Sequence, residues 1–385
     1  MAKKNKVNGF SSFLNNPVDF TLVITVLLLL SIGLVMLLSA SSPTSLQEYN
    51  NSYKYFLRQL VFAVLGLIAM YFISRIDYRI YQKFYKLAWW LSFFSLILVL
   101  VIGTDSHGAK RWIDLGFTTV QPSEFVKFFM IIFYAGILVK NRNDLGKFWK
   151  GLVKHLLFLV PIIGLLILEP HVSTSMVIII TCCVIIIMAG CKFWQFALSG
   201  IVAGGVVGVV ATILYFVNDA FQTRFQYIVT RVITFLDPWQ DATDTGWQVI
   251  QSLYAIGSGG LFGVGLGDST QKYLYLPEPH NDFIFSVLAE ELGFVGCVFV
   301  FILFAIFIWR GILIAMKAPD MFGSLVAIGI TTLVGIQVII NVAVVTSSMP
   351  ATGMQLPFFS YGGTALFILL CEVGVLLSIS RAGAK

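Results

Sequence analysis

Residues 20–40 read FTLVITVLLLLSIGLVMLLSA, an apolar run without a single charged side chain. As a helix rising 1.5 Å per residue, it covers the roughly 30 Å hydrocarbon core of a bilayer. Runs of the same kind follow at Phe56–Ile73, Phe84–Gly103, Ser123–Val139, Leu156–Leu168, Ser173–Gly190, Phe196–Val217, Phe283–Trp309, Phe322–Val345 and Thr364–Ser380. Composition agrees: 58% of the 385 residues are hydrophobic and 11% charged, with a mean hydropathy of +0.89. Soluble chains carry about 25% charged residues. Length alone suggests two or three soluble domains, but the hydropathy makes the chain one polytopic membrane domain, residues 1–385. The expected fold is all-α with about ten transmembrane helices.

The fifth run is short and contains Pro161. Its simplest reading is a helix pair joined by a tight turn at Glu169-Pro170-His171. A single broken helix is the alternative, and it would invert everything downstream. The basic residues set the orientation. With the N-terminus inside, Lys3, Lys4, Lys6, Arg75, Arg79, Lys83, Lys86, Lys140, Arg142, Lys147, Lys150, Lys154, Lys192, Arg310, Lys317, Arg381 and Lys385 all face the cytoplasm. Lys54, Lys110, Arg111, Arg224, Arg231 and Lys272 fall in outer loops, and Arg58 and Lys127 sit at helix ends. This positive-inside bias puts both termini in the cytoplasm and requires an even number of spans. It also assigns the net charge of +6 to a membrane face, with no nucleic-acid partner. The first run follows a basic segment and precedes small residues, as a signal peptide would. Nine further spans favour an uncleaved first helix. Cys182, Cys183, Cys191, Cys297 and Cys371 lie within apolar runs and read as small hydrophobes.

Glu48, Asp105, Asp114, Glu169, Asp219, Asp237, Asp241, Asp244, Asp268, Glu278 and Asp282 fall outside. The inner loops are short, whereas the outer loop between spans seven and eight runs from 218 to 282 and carries Trp239, Trp247, Tyr254, Tyr273 and Tyr275. Long loops in compact proteins are functional or disordered, and this one is expected to fold against the membrane surface.

Four outer segments could carry chemistry. Gly108–Ile113 sets Lys110 and Arg111 beside Trp112 at the interface, where they could hold an anionic headgroup or form an ordinary aromatic belt. Gln121-Pro122-Ser123-Glu124 opens the fourth span, with Pro122 suited to a first helical turn. Glu124 and Lys127 are an i,i+3 pair entering the membrane, where charges are costly and paired. Glu290, Glu291 and Glu372 raise the same question of a structural pair or a direct role. The second segment, Gly257–Gly267, is glycine-rich without the strand and helix of a nucleotide fingerprint, so tight turns and close backbone approach explain it better. The third, Leu276–Phe285, uses Pro277 and Pro279 to fix Glu278, His280 and Asp282 at the membrane boundary. Asp282 is either the N-cap of span eight or a partly desolvated base. The fourth, Pro350–Gly363, contains Ser360 and suits a re-entrant loop that floors a site.

Together these segments resemble the SEDS family (shape, elongation, division and sporulation) of RodA/FtsW-type peptidoglycan polymerases. The resemblance runs nearly end to end, on Gly108–Ile113, Gln121–Glu124, Gln251–Gly267, Leu276–Phe285 and Pro350–Gly363. Phe235–Trp239, Gly263–Gly267 and Gln271-Lys272 look more like the FtsW-type division and sporulation branch than the elongation branch. The resemblance implies a glycosyltransferase acting on lipid II (undecaprenyl-pyrophosphate disaccharide-pentapeptide) at the outer face of the bacterial plasma membrane, at the division septum or in spore wall synthesis. Its essential aspartate aligns with Asp282 and its important tryptophan with Trp112. Implied partners are a monofunctional class B penicillin-binding protein and other divisome proteins. Inverting displacement needs a base at the acceptor hydroxyl and positive charge at the leaving pyrophosphate. Asp282 can be that base. Lys110, Arg111, Lys127 and Lys272 are the pyrophosphate candidates, and Glu124, Glu278, His280 and Ser360 complete the expected substrate surface. No protein-ligated metal is expected, although a divalent cation (Mg or Mn) could assist. One departure from the family stands at Glu169–Thr174, where an acidic residue after Pro followed by Leu-Gly-Thr is replaced by Glu-Pro-His-Val-Ser-Thr. The competing readings are a lipid II flippase and a non-catalytic divisome scaffold.

Overall fold

A computed structural model describes residues 16–106, 109–114, 116, 118–169, 171–192, 194–197, 200, 233–241, 245–273 and 275–383. The chain is helical, with helices α1 (Phe20–Tyr49), α2 (Lys54–Ile73), α3 (Arg79–Lys83) and α4 (Tyr85–Ile102) preceding a small outer sheet. Its strands are β1 (Thr104–Ser106), β2 (Ala109–Asp114) and β3 (Thr119–Val120), antiparallel in that order. Then come α5 (Pro122–Lys140), α6 (Lys154–Leu168), α7 (Val172–Met188), α8 (Thr245–Gly259), α9 (Ile284–Lys317), α10 (Met321–Val345) and α11 (Gly363–Gly383). Among the described residues, eight helical segments are long and apolar enough to cross a membrane, and α7 is a shorter apolar helix. The expected span Phe196–Val217 lies almost wholly outside the described residues, as does the loop from 218 to 232.

The Glu169-Pro170-His171 region resolves as a helix pair, because α6 ends at Leu168, α7 begins at Val172 and the two pack together. The two ends of the described chain meet. Asn16 Nδ2 donates to Arg381 O at 2.9 Å, and the Asp19 amide donates to Ser380 Oγ at 3.2 Å. Start and finish on one face require an even number of crossings, which agrees with the charge bias.

Ion pairs close the inner face. Asp19 caps α1 by accepting from the Leu22 amide at 3.0 Å, and it accepts from Arg310 Nε at 3.0 and 3.1 Å. Asp320 caps α10 through Gly323 N at 2.8 Å, and also takes Tyr78 Oη at 2.6 Å and Arg79 Nε at 2.8 Å. Inside the bilayer, packing must come from close contact rather than from expulsion of water. α11 lies along α2, α4 against α5, and α10 against α5, α7 and α9. Cys182, Cys191 and Cys297 are buried free thiols in this packing, and Cys183 and Cys371 are half-buried.

The glycine-rich segment has a specific task. At Gly293 the backbone of α9 leaves helical geometry (φ 66°, ψ −167°), which opens the hydrogen-bond ladder. The loop after α8 fills the opening. Val264 N donates to Glu290 O at 3.0 Å and Gly265 N to Glu291 O at 3.2 Å. In return, Phe294 N donates to Gly260 O at 3.0 Å and Val295 N to Leu261 O at 3.1 Å. Backbone groups at membrane depth must be satisfied within the protein, and here one segment completes another's ladder. Only glycines allow the approach, since a Cβ on Gly263 would stand 2.1 Å from Glu291 O.

The carboxylates beside this break are structural pairs. Glu290 accepts from Ser269 Oγ, Thr270 N and Thr270 Oγ1, the last two at 2.9 Å. Glu291 accepts from Ser39 Oγ at 2.6 Å and from Lys272 Nζ at 2.8 Å. Lys272 was expected at the leaving pyrophosphate. It is instead buried, with its ammonium engaged by Glu291, Ser39 Oγ at 2.9 Å and Gly267 O. Its long stem reaches inward because the loop itself dips along α9.

Candidate active site

At the outer ends of the helices two chain segments meet at Asp282, and a third is tied to them through the α6–α7 turn. α9 has its N-cap at Phe283 with no side-chain capping bond. The cap position thus falls one residue after Asp282, whose side chain is half-buried. The second segment, 350–363, is held against it by hydrogen bonds to the Asp282 neighbourhood. Asn341 Nδ2 of α10 donates both to Asp282 O at 2.8 Å and to Met354 O at 2.6 Å. Ser360 Oγ donates to Asn281 O at 2.6 Å while accepting from Leu356 N at 2.7 Å, and Tyr361 N donates to His280 O at 2.8 Å. Asp282 Oδ2 faces Gly353, where an added Cβ would come within 3.1 Å. Gln59 of α2 clamps the far side of the loop, donating to Ser360 O at 3.2 Å and accepting from Gly362 N at 3.1 Å.

The backbone is strained at both segments. Glu278 has φ 50° and Phe358 φ 69°, unusual for residues with side chains. Such conformations persist where surrounding contacts over-determine them, and they cluster at functional sites. Glu278 is exposed and accepts from Asn281 Nδ2 at 2.6 Å. His280 is a wall residue, buried, with its ring 4.7 Å from that of Tyr55 and Nε2 3.7 Å from Glu278 Oε2. Burial lowers its pKa against the opposing pull of Glu278 and Glu48.

Beneath the 350–363 loop lies a cavity of about 40 Å³, lined by Glu124, Lys127, Gln337, Gln355, Ser360 and Glu372 among others. That volume holds roughly two or three waters. Lys127 Nζ and Glu124 Oε2 are 2.7 Å apart on the first turns of α5, both largely buried, so the i,i+3 pair forms as expected. Pro122 occupies the first turn of α5. Ser360 belongs to both places, lining the cavity and bonding to the residue before Asp282.

The third segment is the outer sheet. Trp112 is half-buried on β2 opposite Thr104, whose Oγ1 donates to Trp112 O at 3.1 Å. Lys110 pairs with Asp105 across the same ladder, and Gly108 lies outside the described residues. Arg111 Nε donates to Glu169 O at 3.2 Å, which ties the sheet to the α6–α7 turn. In that turn the Glu169 carboxyl is buried, and desolvation raises its pKa to about 8 despite the opposing charge of Arg111. Its neighbour His171 is held down to about 3, by burial first and then by Arg111 and Lys127. His171 sits 2.9 Å from Thr174 Oγ1 and 3.4 Å from Ser123 Oγ. The α6–α7 turn thus builds a neutral buried cluster under Arg111. Ser173 Oγ, donating to Thr352 O at 3.3 Å, links it to the Asp282 loop.

Among the described residues no group of three or more His, Cys, Asp or Glu is placed to hold a metal. Residues that sequence reading missed are Gln59, Asn341, Gln337 and Gln355. A polar amide inside an apolar run is the signal that would have found the first three.

Residues 20–385 match the model of a family described as Cell cycle protein, the FtsW, RodA and SpoVE group. The chain belongs to this family. It is 43% identical over 365 residues to Stage V sporulation protein E of Bacillus subtilis (strain 168), covering 94% of this chain and 97% of that one. It is 38% identical over 367 residues to the probable peptidoglycan glycosyltransferase FtsW of Coxiella burnetii (strain RSA 493 / Nine Mile phase I), covering 94% and 96%. Among solved structures, a chain from a peptidoglycan synthase complex that coordinates polymerization and crosslinking superposes with TM-score 0.77 at 29% identity, covering 95% and 98%. The rod shape determining protein RodA of Thermus thermophilus gives 0.68 at 27% identity, covering 94% and 97%. The family fold is therefore present along nearly the whole chain.

Proposed function

We propose that the chain is a peptidoglycan glycosyltransferase, polymerising lipid II at the outer face of the plasma membrane with Asp282 as general base. The observation that carries this reading is the setting of Asp282: a carboxylate half-buried where two proline-stiffened loops are bolted together. Partial desolvation makes a carboxylate a better base, and rigid positioning lowers the entropic barrier to attack.

In the reaction, Asp282 accepts the proton of the acceptor's 4-hydroxyl as that oxygen forms a bond to the donor's anomeric carbon. The bond to the pyrophosphate oxygen breaks from the opposite face, so configuration inverts, and undecaprenyl pyrophosphate leaves with the electron pair. Arg111 and Lys110 on β2 meet the developing negative charge, and Trp112 offers a flat apolar face to a sugar ring. Lys272, locked beside Glu291, positions the loop and does not contact phosphate. Identity to SpoVE and FtsW supports a role in sporulation or septal wall synthesis. The likeness to a chain of a peptidoglycan synthase complex supports a penicillin-binding partner that crosslinks the product.

The test is incubation of the purified chain with fluorescent lipid II and its class B penicillin-binding partner, followed by gel separation of glycan chains. A polymer ladder is expected. Absence of polymer together with transfer of lipid II across liposome membranes would replace this reading with a flippase.

A further inference from the structure

On the opposite face, the inner ends of α4, α5 and α6 enclose an open cavity of about 270 Å³. Each helix brings a lysine to its rim: Lys86 at the start of α4, Lys140 at the end of α5 and Lys154 at the start of α6. Each also brings an aromatic ring deeper in. Trp89 and Trp90 lie one turn below Lys86, Phe158 one turn below Lys154, and Phe133 two turns below Lys140. The same order, cation above and ring beneath, therefore repeats on three helices around one hollow.

An aromatic belt with snorkelling lysines would scatter such residues around the perimeter. Here they converge. The three lysines are exposed, and among the described residues none makes an ion pair. The nearby Asp144 carboxylate is taken by Lys147 Nζ at 2.7 Å. Trp89 Nε1 donates to Phe158 O at 3.1 Å, which pins α4 to α6 and fixes the wall. α4 begins at Phe84 without a side-chain cap, so its first-turn amides add positive potential at the rim. Lys140 offsets the opposite potential at the end of α5.

We propose that this hollow binds an anionic phospholipid of the inner leaflet. Its phosphate lies among Lys86, Lys140 and Lys154, and its glycerol and upper acyl chain lie along the aromatic wall. Basic pockets between transmembrane helices on the cytoplasmic side recognise such headgroups by charge, while the rings accept the chain. The site lies across the membrane from Asp282 and does not depend on the transferase reading.

Native mass spectrometry of the full chain in detergent micelles tests it, with dioleoylphosphatidylglycerol titrated against dioleoylphosphatidylcholine. The wild type is expected to retain phosphatidylglycerol at least about tenfold better than phosphatidylcholine. Joint Lys86→Gln, Lys140→Gln and Lys154→Gln substitution is expected to abolish that preference. Arg75→Gln, Lys192→Gln and Lys317→Gln together remove the same charge from the same face and are expected to leave it intact. Equal losses in the two triple variants, or no preference in the wild type, overturn the proposal. Each pocket lysine substituted singly is expected to weaken retention about three- to fivefold, and singles matching the wild type would overturn it as well.

Discussion

Replacing Gly263 by alanine isolates the junction between the outer loop and the break in α9. The added Cβ would meet Glu291 O at 2.1 Å, Glu291 C at 2.5 Å and Gly293 N at 2.8 Å, all of them backbone atoms that cannot rotate away. Ordinary carbon contacts begin near 3.5 Å, so the loop must retreat by more than about 1 Å. The bonds from Val264 N and Gly265 N, now 3.0 and 3.2 Å, would then pass beyond hydrogen-bonding range. Two lost bonds contribute about 1 kcal/mol each, and alanine at φ 80° adds roughly 1–2 kcal/mol. The total is about 3–4 kcal/mol. Gly267→Ala (φ 91°, with open space around it) carries the backbone strain alone, about 1–2 kcal/mol. Gly257→Ala, helical and uncrowded, is neutral or stabilises by up to about 1 kcal/mol. Half-lives of the purified full chain at elevated temperature should fall in the order Gly257→Ala, Gly267→Ala, Gly263→Ala. A Gly263→Ala variant as durable as Gly267→Ala would refute the ladder-completion argument.

The remaining expectations concern buried charge. With its pKa raised from 4.5 to about 8, Glu169 stays protonated in the folded chain while the unfolded chain ionises. Its contribution to stability is therefore lost progressively as pH rises from 4.5 to about 8, and Glu169→Gln should flatten thermal stability across that window; an unchanged slope would contradict the assignment. Removing one partner of the Lys127–Glu124 pair leaves a buried charge without its 2.7 Å partner, a loss of roughly 3–5 kcal/mol. Lys127→Met with Glu124→Gln should lose less than either single variant, as read in a double-mutant cycle on melting temperature, and additive losses would count against the pair.

The spans were legible because hydropathy depends only on composition along the chain. Nine of the expected runs coincide with described helices, and most boundaries agree within a residue or two. Where they differ, helices continue past the apolar run. α1 extends through Pro43 to Tyr49 and α9 reaches Lys317, since helical geometry needs no hydrocarbon once the adjoining elements pack against it. Helix partners were not legible. A span that is apolar on every side gives no periodicity to say which face meets protein, so the pairing of α2 with α11 cannot be read from either run. At the site, the segments carrying Asp282, Trp112 and Ser360 stood out because prolines, glycines and charges interrupt apolar sequence. Lys272 misled for a physical reason: an outer-loop lysine looks exposed until the loop is known to dip along α9. The kink itself hid behind Gly293, one glycine among 33 in the chain.

The most direct test of the account is glycan synthesis by Asp282→Asn, which keeps the shape of the side chain and removes the base. The purified variant, melting like the wild type, should form glycan from fluorescent lipid II at least about 100-fold more slowly in the presence of the penicillin-binding partner. A folded Asp282→Asn chain polymerising at the wild-type rate would contradict the assignment of Asp282 as the base.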